Sequence, residues 1–201
     1  MRNVFLFSAL AVLNASGPAM AAEPSAAAGE TAAAAPAGEA AEANTLDKLF
    51  AELKRERNPQ AAERISKRIW NEWHKSGSAS IDLMMQWSND AVAGQKYDVA
   101  LDFLDQVVTL QPGFAEGWNR RATVHFLMRS FGKSMADIER TLELEPRHFG
   151  ALSGMAQIMK DTGRKELALQ AWQRVLDIYP MMRSAQGEIA TLSEELAGES
   201  I

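Results

Sequence analysis

The sequence predicts an all-α fold: a short solenoid of antiparallel helix pairs with a degenerate hairpin before it and a capping helix after it. Three observations carry that reading. Pro112, Pro146 and Pro180 stand 34 residues apart, and a fixed period of this size marks a repeat array. Within each period, two stretches place apolar residues at the i, i+3, i+4, i+7 spacing of one helical face. In the first period these are Leu83, Met84, Trp87 and Ala91, then Leu101, Leu104, Val107 and Val108. Small residues fill two columns, Ser88, Ala122 and Ala156, and Ala100, Ser134 and Ala168, where closely crossing helices leave room for little else.

The chain opens on features of export. Arg2 gives a positive start, Val4 to Leu13 an apolar run, and Ala19-Met20-Ala21 small residues at the −3 and −1 positions. Residues 1–21 therefore read as a secretory signal cleaved after Ala21. As a helix the run reaches about 15 Å, half of a ~30 Å hydrocarbon core, so no membrane insertion is expected after cleavage. Residues 22–44 hold four glutamates but no base, no aromatic and no Val, Ile or Leu. With no apolar stripe to bury, they read as a disordered Ala/Glu/Pro-rich linker.

Composition narrows the chemistry. The chain has no cysteine, which excludes disulfides, a thiolate nucleophile, a Cys-based zinc site and a lipoprotein anchor. Together with the signal, this fits an exported protein of a bacterial periplasm. The formal net charge is −5, and no basic run offers a footprint for nucleic acid or anionic lipid.

Residues 45–80 carry two apolar stripes, Leu46, Leu49, Phe50 and Leu53, then Ala62, Ile65, Ile69 and Trp73, with Arg57 to Gln60 turning between them. This is a helical hairpin that lacks the repeat proline, and it is expected to cap the N-terminal end. Trp70 widens its stripe, either packing on the first repeat or standing exposed for a partner. Three repeats follow, 81–114, 115–148 and 149–182. Residues 183–201 put Ala185, Ile189, Leu192 and Leu196 on one face, as a capping helix and tail should. About nine helices are expected between Thr45 and Leu196.

No catalytic constellation emerges. His74, His125 and His148 do not pair at metal-ligand spacing, no Gly-x-Ser-x-Gly elbow is present, and no phosphate loop appears. The expectation is no enzyme activity, no cofactor and no metal. The stretch Glu143 to Leu152 is a joint between repeats, with His148 packing in it. Trp87, Trp118 and Trp172 are expected inside the repeat core.

The repeat columns resemble those of the tetratricopeptide family. Met84, Trp118 and Leu152 stand at position four, the two small columns at eight and twenty, Leu104, Ile138 and Trp172 at twenty-four, and the prolines at thirty-two. The usual tyrosine at eleven is replaced by Ala91, His125 and Met159. The resemblance implies a right-handed superhelix whose concave wall is lined by the first helix of each repeat. Asp82, Met85, Asn89 and Val92; Glu116, Asn119, Thr123 and Phe126; and Gly150, Ser153, Gln157 and Lys160 would point there. From these, Met85, Asn89, Asn119, Thr123, Ser153, Gln157 and Lys160, with the flanking Arg120, are the candidate partner-binding residues. Met85 stands where some members carry a lysine that grips a terminal carboxylate, so no such clamp is expected. The implied function is a non-enzymatic adapter binding a peptide segment or helix of a protein partner. The alternative is a structural subunit assembling through its convex face or terminal caps.

Overall fold

The computed structural model describes residues 37–198. The signal, most of the linker and the last three residues lie outside the described residues. Those described form nine α-helices and no strand: α1 (Ala37–Arg55), α2 (Pro59–Trp73), α3 (Ala79–Ala93), α4 (Tyr97–Leu110), α5 (Ala115–Leu127), α6 (Phe131–Leu144), α7 (Phe149–Asp161), α8 (Lys165–Ile178) and α9 (Arg183–Gly198). The first helix starts at Ala37, inside the segment read as linker. Alanine and glutamate are strong helix formers, so a helix anchored further on by Leu49, Phe50 and Leu53 extends backward through them.

Local chemistry sets the boundaries. The Asn58 side chain accepts from the N–H groups of Gln60 and Ala61, both at 3.0 Å, and Pro59 takes the first helical position, where its missing N–H costs nothing. Pro112, Pro146 and Pro180 each follow a second helix, which they cannot continue. Between the helices of each repeat, one residue at the same place turns left-handed: Gln95 (φ 57°), Arg129 (φ 57°) and Gly163 (φ 75°). The next N–H then reaches back to close the helix, Lys96 to Ala91, Ser130 to His125 and Arg164 to Met159, each at 2.8 Å. Three identical turns at one period are the backbone counterpart of the proline count.

Consecutive helices pack together from α3 to α9, and α5 also meets α7, first helix to first helix. Arg121 ties neighbouring units: it donates twice to Asp137 on α6, at 2.7 and 2.8 Å, and once to Asp105 on α4, at 2.8 Å.

The α1–α2 hairpin departs from its expected place. It does not stack along α3. Its apolar stripe merges instead with Phe149, Leu152, Ala168, Trp172, Val175 and Leu192 into one core shared by α1, α2, α7, α8 and α9. Arg147 reaches Asp47 on α1 at 2.7 Å and lies 4.2 Å over the Phe50 ring. The hairpin thus covers the third repeat, because its tryptophans find aromatic partners there. Trp70 meets Phe149 and His148 edge-on at 5.6 and 5.4 Å, so it packs on the third repeat and not the first.

The other tryptophans divide. Trp172 is buried and Trp118 half-buried, its indole N–H donating to the Pro112 carbonyl at 3.0 Å. Trp87, expected in the core, is 45 % exposed. It lies on the flank of repeat 1 that the hairpin leaves uncovered.

Candidate partner-binding face

The first helices α3, α5 and α7 carry the candidate face, and its centre is organised around one carboxylate. Glu116, in the first turn of α5, is 1 % exposed. It accepts from Arg120 Nε at 2.6 Å and Asn119 Nδ2 at 2.9 Å, both on its own helix. From the cap of α7, His148 Nε2 lies 3.2 Å away. The other ring nitrogen of His148, Nδ1, accepts from the Ala151 N–H at 3.0 Å. An acceptor at Nδ1 leaves the ring proton on Nε2, so His148 donates to Glu116 while capping α7. Its ring also stacks on Trp73 of α2, with centroids 4.0 Å apart.

His74, just past α2, completes the arrangement. Its Nε2 lies 2.7 Å from Arg120 Nη2 and 3.3 Å from Glu116 Oε1. A guanidinium only donates, so His74 accepts from Arg120. Burial pushes the Glu116 carboxyl upward, but the hydrogen bond from His148 and the Arg120 charge hold it well below the ordinary carboxylate range. The result is a clasp: a buried charge, fully partnered, that joins hairpin, second repeat and third repeat.

The clasp claims several candidate residues. Asn119 is buried and donates its amide N–H to Glu116. Arg120 spans Glu116, His74 and, at 3.2 Å, Asn89. Met85 is buried, while Lys160 pairs with Glu188 of α9 at 2.6 Å. Ser153 bonds the Phe149 carbonyl and Thr123 that of Asn119. Gln157 donates to Asp161 at 2.7 Å. Thr123, Gln157, Asn119 and the neighbouring part of α7 remain together around an opening; Met85, Asn89 and Arg120 line a separate hollow with His74.

That opening is a slot of about 150 Å³ between α5, α6 and α7. Ala122, Ile138 and Ala151, all buried, form its inner lining, with Phe126, Gly150 and Gly154 beside them. The two glycines lie one helical turn apart and differ in origin. A Cβ on Gly150 would meet the Trp70 ring at 2.7 Å, so packing with the hairpin requires glycine there. A Cβ on Gly154 would meet only Ile138 Cδ1, at 3.4 Å. Packing does not demand that glycine, which costs a helix interior about 1 kcal/mol against alanine. Among the described residues, no group of three His, Asp or Glu gathers as a metal site, and no helix is long and apolar enough to cross a membrane.

Sequence reasoning placed Glu116 and Gly150 on the wall but missed the clasp and the slot. Glu116 and His148 meet across stacked repeats, and Trp73 and His74 reach them from far along the chain because the hairpin folds back. The one local signal was the pair of glycines, four apart, inside a helical pattern.

Fold and face together define a helical-repeat solenoid with a concave wall, the architecture of an interaction scaffold. The chain belongs to the tetratricopeptide repeat proteins. It is 54% identical over 153 residues to a TPR repeat-containing protein of Rhizobium etli, a match covering 76% of this chain and 75% of the relative. It is also 26% identical over 117 residues to the small glutamine-rich tetratricopeptide repeat-containing protein 2 of Saccharomyces cerevisiae, covering 58% of this chain and 34% of that one. Among solved structures, the first TPR of Spaghetti (RPAP3) bound to the HSP90 peptide SRMEEVD superposes with a TM-score of 0.57 at 22% identity. That match covers 60% of this chain and 95% of the other. The TPR2B domain of yeast Sti1, solved in a complex described as pHsp70, gives 0.54 at 15% identity over 59% and 99%. No family model matches the chain.

Proposed function

We propose that this protein is a non-enzymatic adapter of the cell envelope that holds a segment of a partner protein on its concave face. The observation that carries the reading is the apolar slot between α5, α6 and α7, kept open by a glycine that packing does not require. Its 150 Å³ matches a cavity known to take a benzene-sized group, so one leucine, methionine or phenylalanine side chain fits. The HSP90 peptide bound by the first RPAP3 domain supports a peptide as ligand class. The ligand differs in charge from SRMEEVD. Met85 offers no cation and Lys160 is already paired with Glu188, so the segment recognised here is uncharged around its anchor. The signal-like N-terminus supports the periplasm as the compartment.

The test is photo-crosslinking in the native compartment from a benzophenone side chain at Thr123, on the edge of the slot. A discrete crosslinked partner is expected, and Gly154→Leu should abolish it while leaving the melting temperature unchanged or higher. Undiminished crosslinking in Gly154→Leu would remove the slot from the binding site.

A further inference from the structure

We infer that the flank of repeat 1 that no other described helix covers is a self-association surface that pairs two copies of this chain head to head. The inference does not depend on the peptide reading. On α3, Leu83 and Trp87 are 43 % and 45 % exposed; on α4, Val99 and Leu110 are 42 % and 66 % exposed. Trp87 and Phe103 lean together across the two helices, with ring centroids 5.4 Å apart, over a shallow groove of about 410 Å³. Helical register puts Leu83 with Trp87, and Val99, Phe103 and Leu110, on one face of the pair. In a repeat array this is the surface a preceding unit buries, and an exposed terminal unit requires a polar outer face. Here the preceding unit exists but is committed elsewhere, in the core of repeat 3.

The two ends of the array decide what covers the flank. The opposite end is α9, whose Ser193, Glu194 and Glu195 are exposed and whose Glu188 and Glu195 pair with Lys160 and Lys165. A polar, acidic end does not complement an apolar one, so copies cannot join head to tail. An identical flank does complement it, and such a pairing closes at two copies. Helices of this length give a face about 22 Å long and about 20 Å wide. Two faces bury on the order of 1,000 Å², the lower edge of specific interfaces. An interface of that size makes a reversible dimer, not an obligate one. Asp90, Asp98 and Asp102 outnumber Lys96 around the apolar centre, and apposed copies bring those acids together. Association therefore tightens as salt screens them.

Sedimentation of the purified protein from about 1 μM to 1 mM reads the equilibrium directly. The expected result is a concentration-dependent dimer that strengthens with salt and that Trp87→Glu weakens at least tenfold, with the melting temperature preserved. The absence of cysteine permits a second measurement. Gln106→Cys, on the flank by register, should oxidise to a covalent dimer, whereas Ser193→Cys on α9 should not. A monomer at every concentration, a dimer indifferent to Trp87→Glu, a complex dispersed by salt, or disulfides favouring Ser193→Cys would each overturn the inference.

Discussion

Repeat 1 and repeat 3 share a length, a turn geometry and a proline, yet they sit in opposite surroundings. Repeat 3 is enclosed: α7 and α8 pack against α9 on one side and the α1–α2 hairpin on another, in a single core with Leu53, Ile69, Leu152 and Leu192 at its centre. Among the described residues, repeat 1 has a neighbour on one side only. Its core is its own two helices plus Phe114 and Val124, and its other side shows Trp87 to solvent. In a solenoid, stability is the sum of each unit and its interfaces, so units alike in sequence pattern differ in stability by the neighbours they have. Backbone amides of α3 and α4 should therefore exchange through lower-energy openings than those of α7 and α8.

Four substitutions break or sharpen this contrast. Trp73→Ala is expected to be the largest, at about 3–5 kcal/mol, because the ring stacks on His148 and packs on Phe50 and Phe149. It should lower the urea midpoint and raise exchange in α7, bringing repeat 3 towards repeat 1. Glu116→Gln should cost about 2 kcal/mol, since Arg120, His148 and Asn119 lose a charged acceptor while Arg120 keeps part of its contact with water. Because folding holds this carboxyl below its unfolded value near ~4.3, its contribution is present at neutral pH. That contribution fades below about pH 4 and is lost further into acid. A thermal midpoint that drops in this range for the native protein should drop less in Glu116→Gln.

Gly150→Ala sets a gain in helix propensity of about 1 kcal/mol against a Cβ pressed on Trp70. Overpacking typically costs about 1–3 kcal/mol, so a net loss of about 1 kcal/mol is expected by denaturant titration. If the hairpin were elsewhere, the same change would stabilise. Arg129→Gly is the smallest effect and the opposite in sign. Relief of a left-handed non-glycine residue is worth about 1 kcal/mol, and the midpoint should rise slightly.

Much of the fold was legible because its signals are local and repeated. Prolines, small columns and apolar stripes report on helices adjacent in the chain, and nine helices stand among the described residues. The place of the hairpin was not legible. Its stripe of Ala62, Ile65, Ile69 and Trp73 says that a face is buried, not against which neighbour. The choice was made by Trp70 and Trp73 meeting His148, Phe149 and Gly150, residues far along the chain. The candidate face was legible to the same extent. The helices that line it followed from the repeat, and the bonds from Asn119 and Arg120 to Glu116 are local, while the approach of His74 and Trp73 depends on that distant contact. Trp87 illustrates the same point: its stripe predicts burial, and only the absence of a neighbour exposes it.

The central claim is that the hairpin folds back onto repeat 3. Proton–proton nuclear Overhauser effects from the Trp70 and Trp73 rings test it without altering the protein. The account predicts contacts from Trp70 to the Gly150 α protons and from Trp73 to the His148 ring. Contacts from α2 to Leu83, Trp87 or Phe103 in their place would put the hairpin on repeat 1 and contradict it.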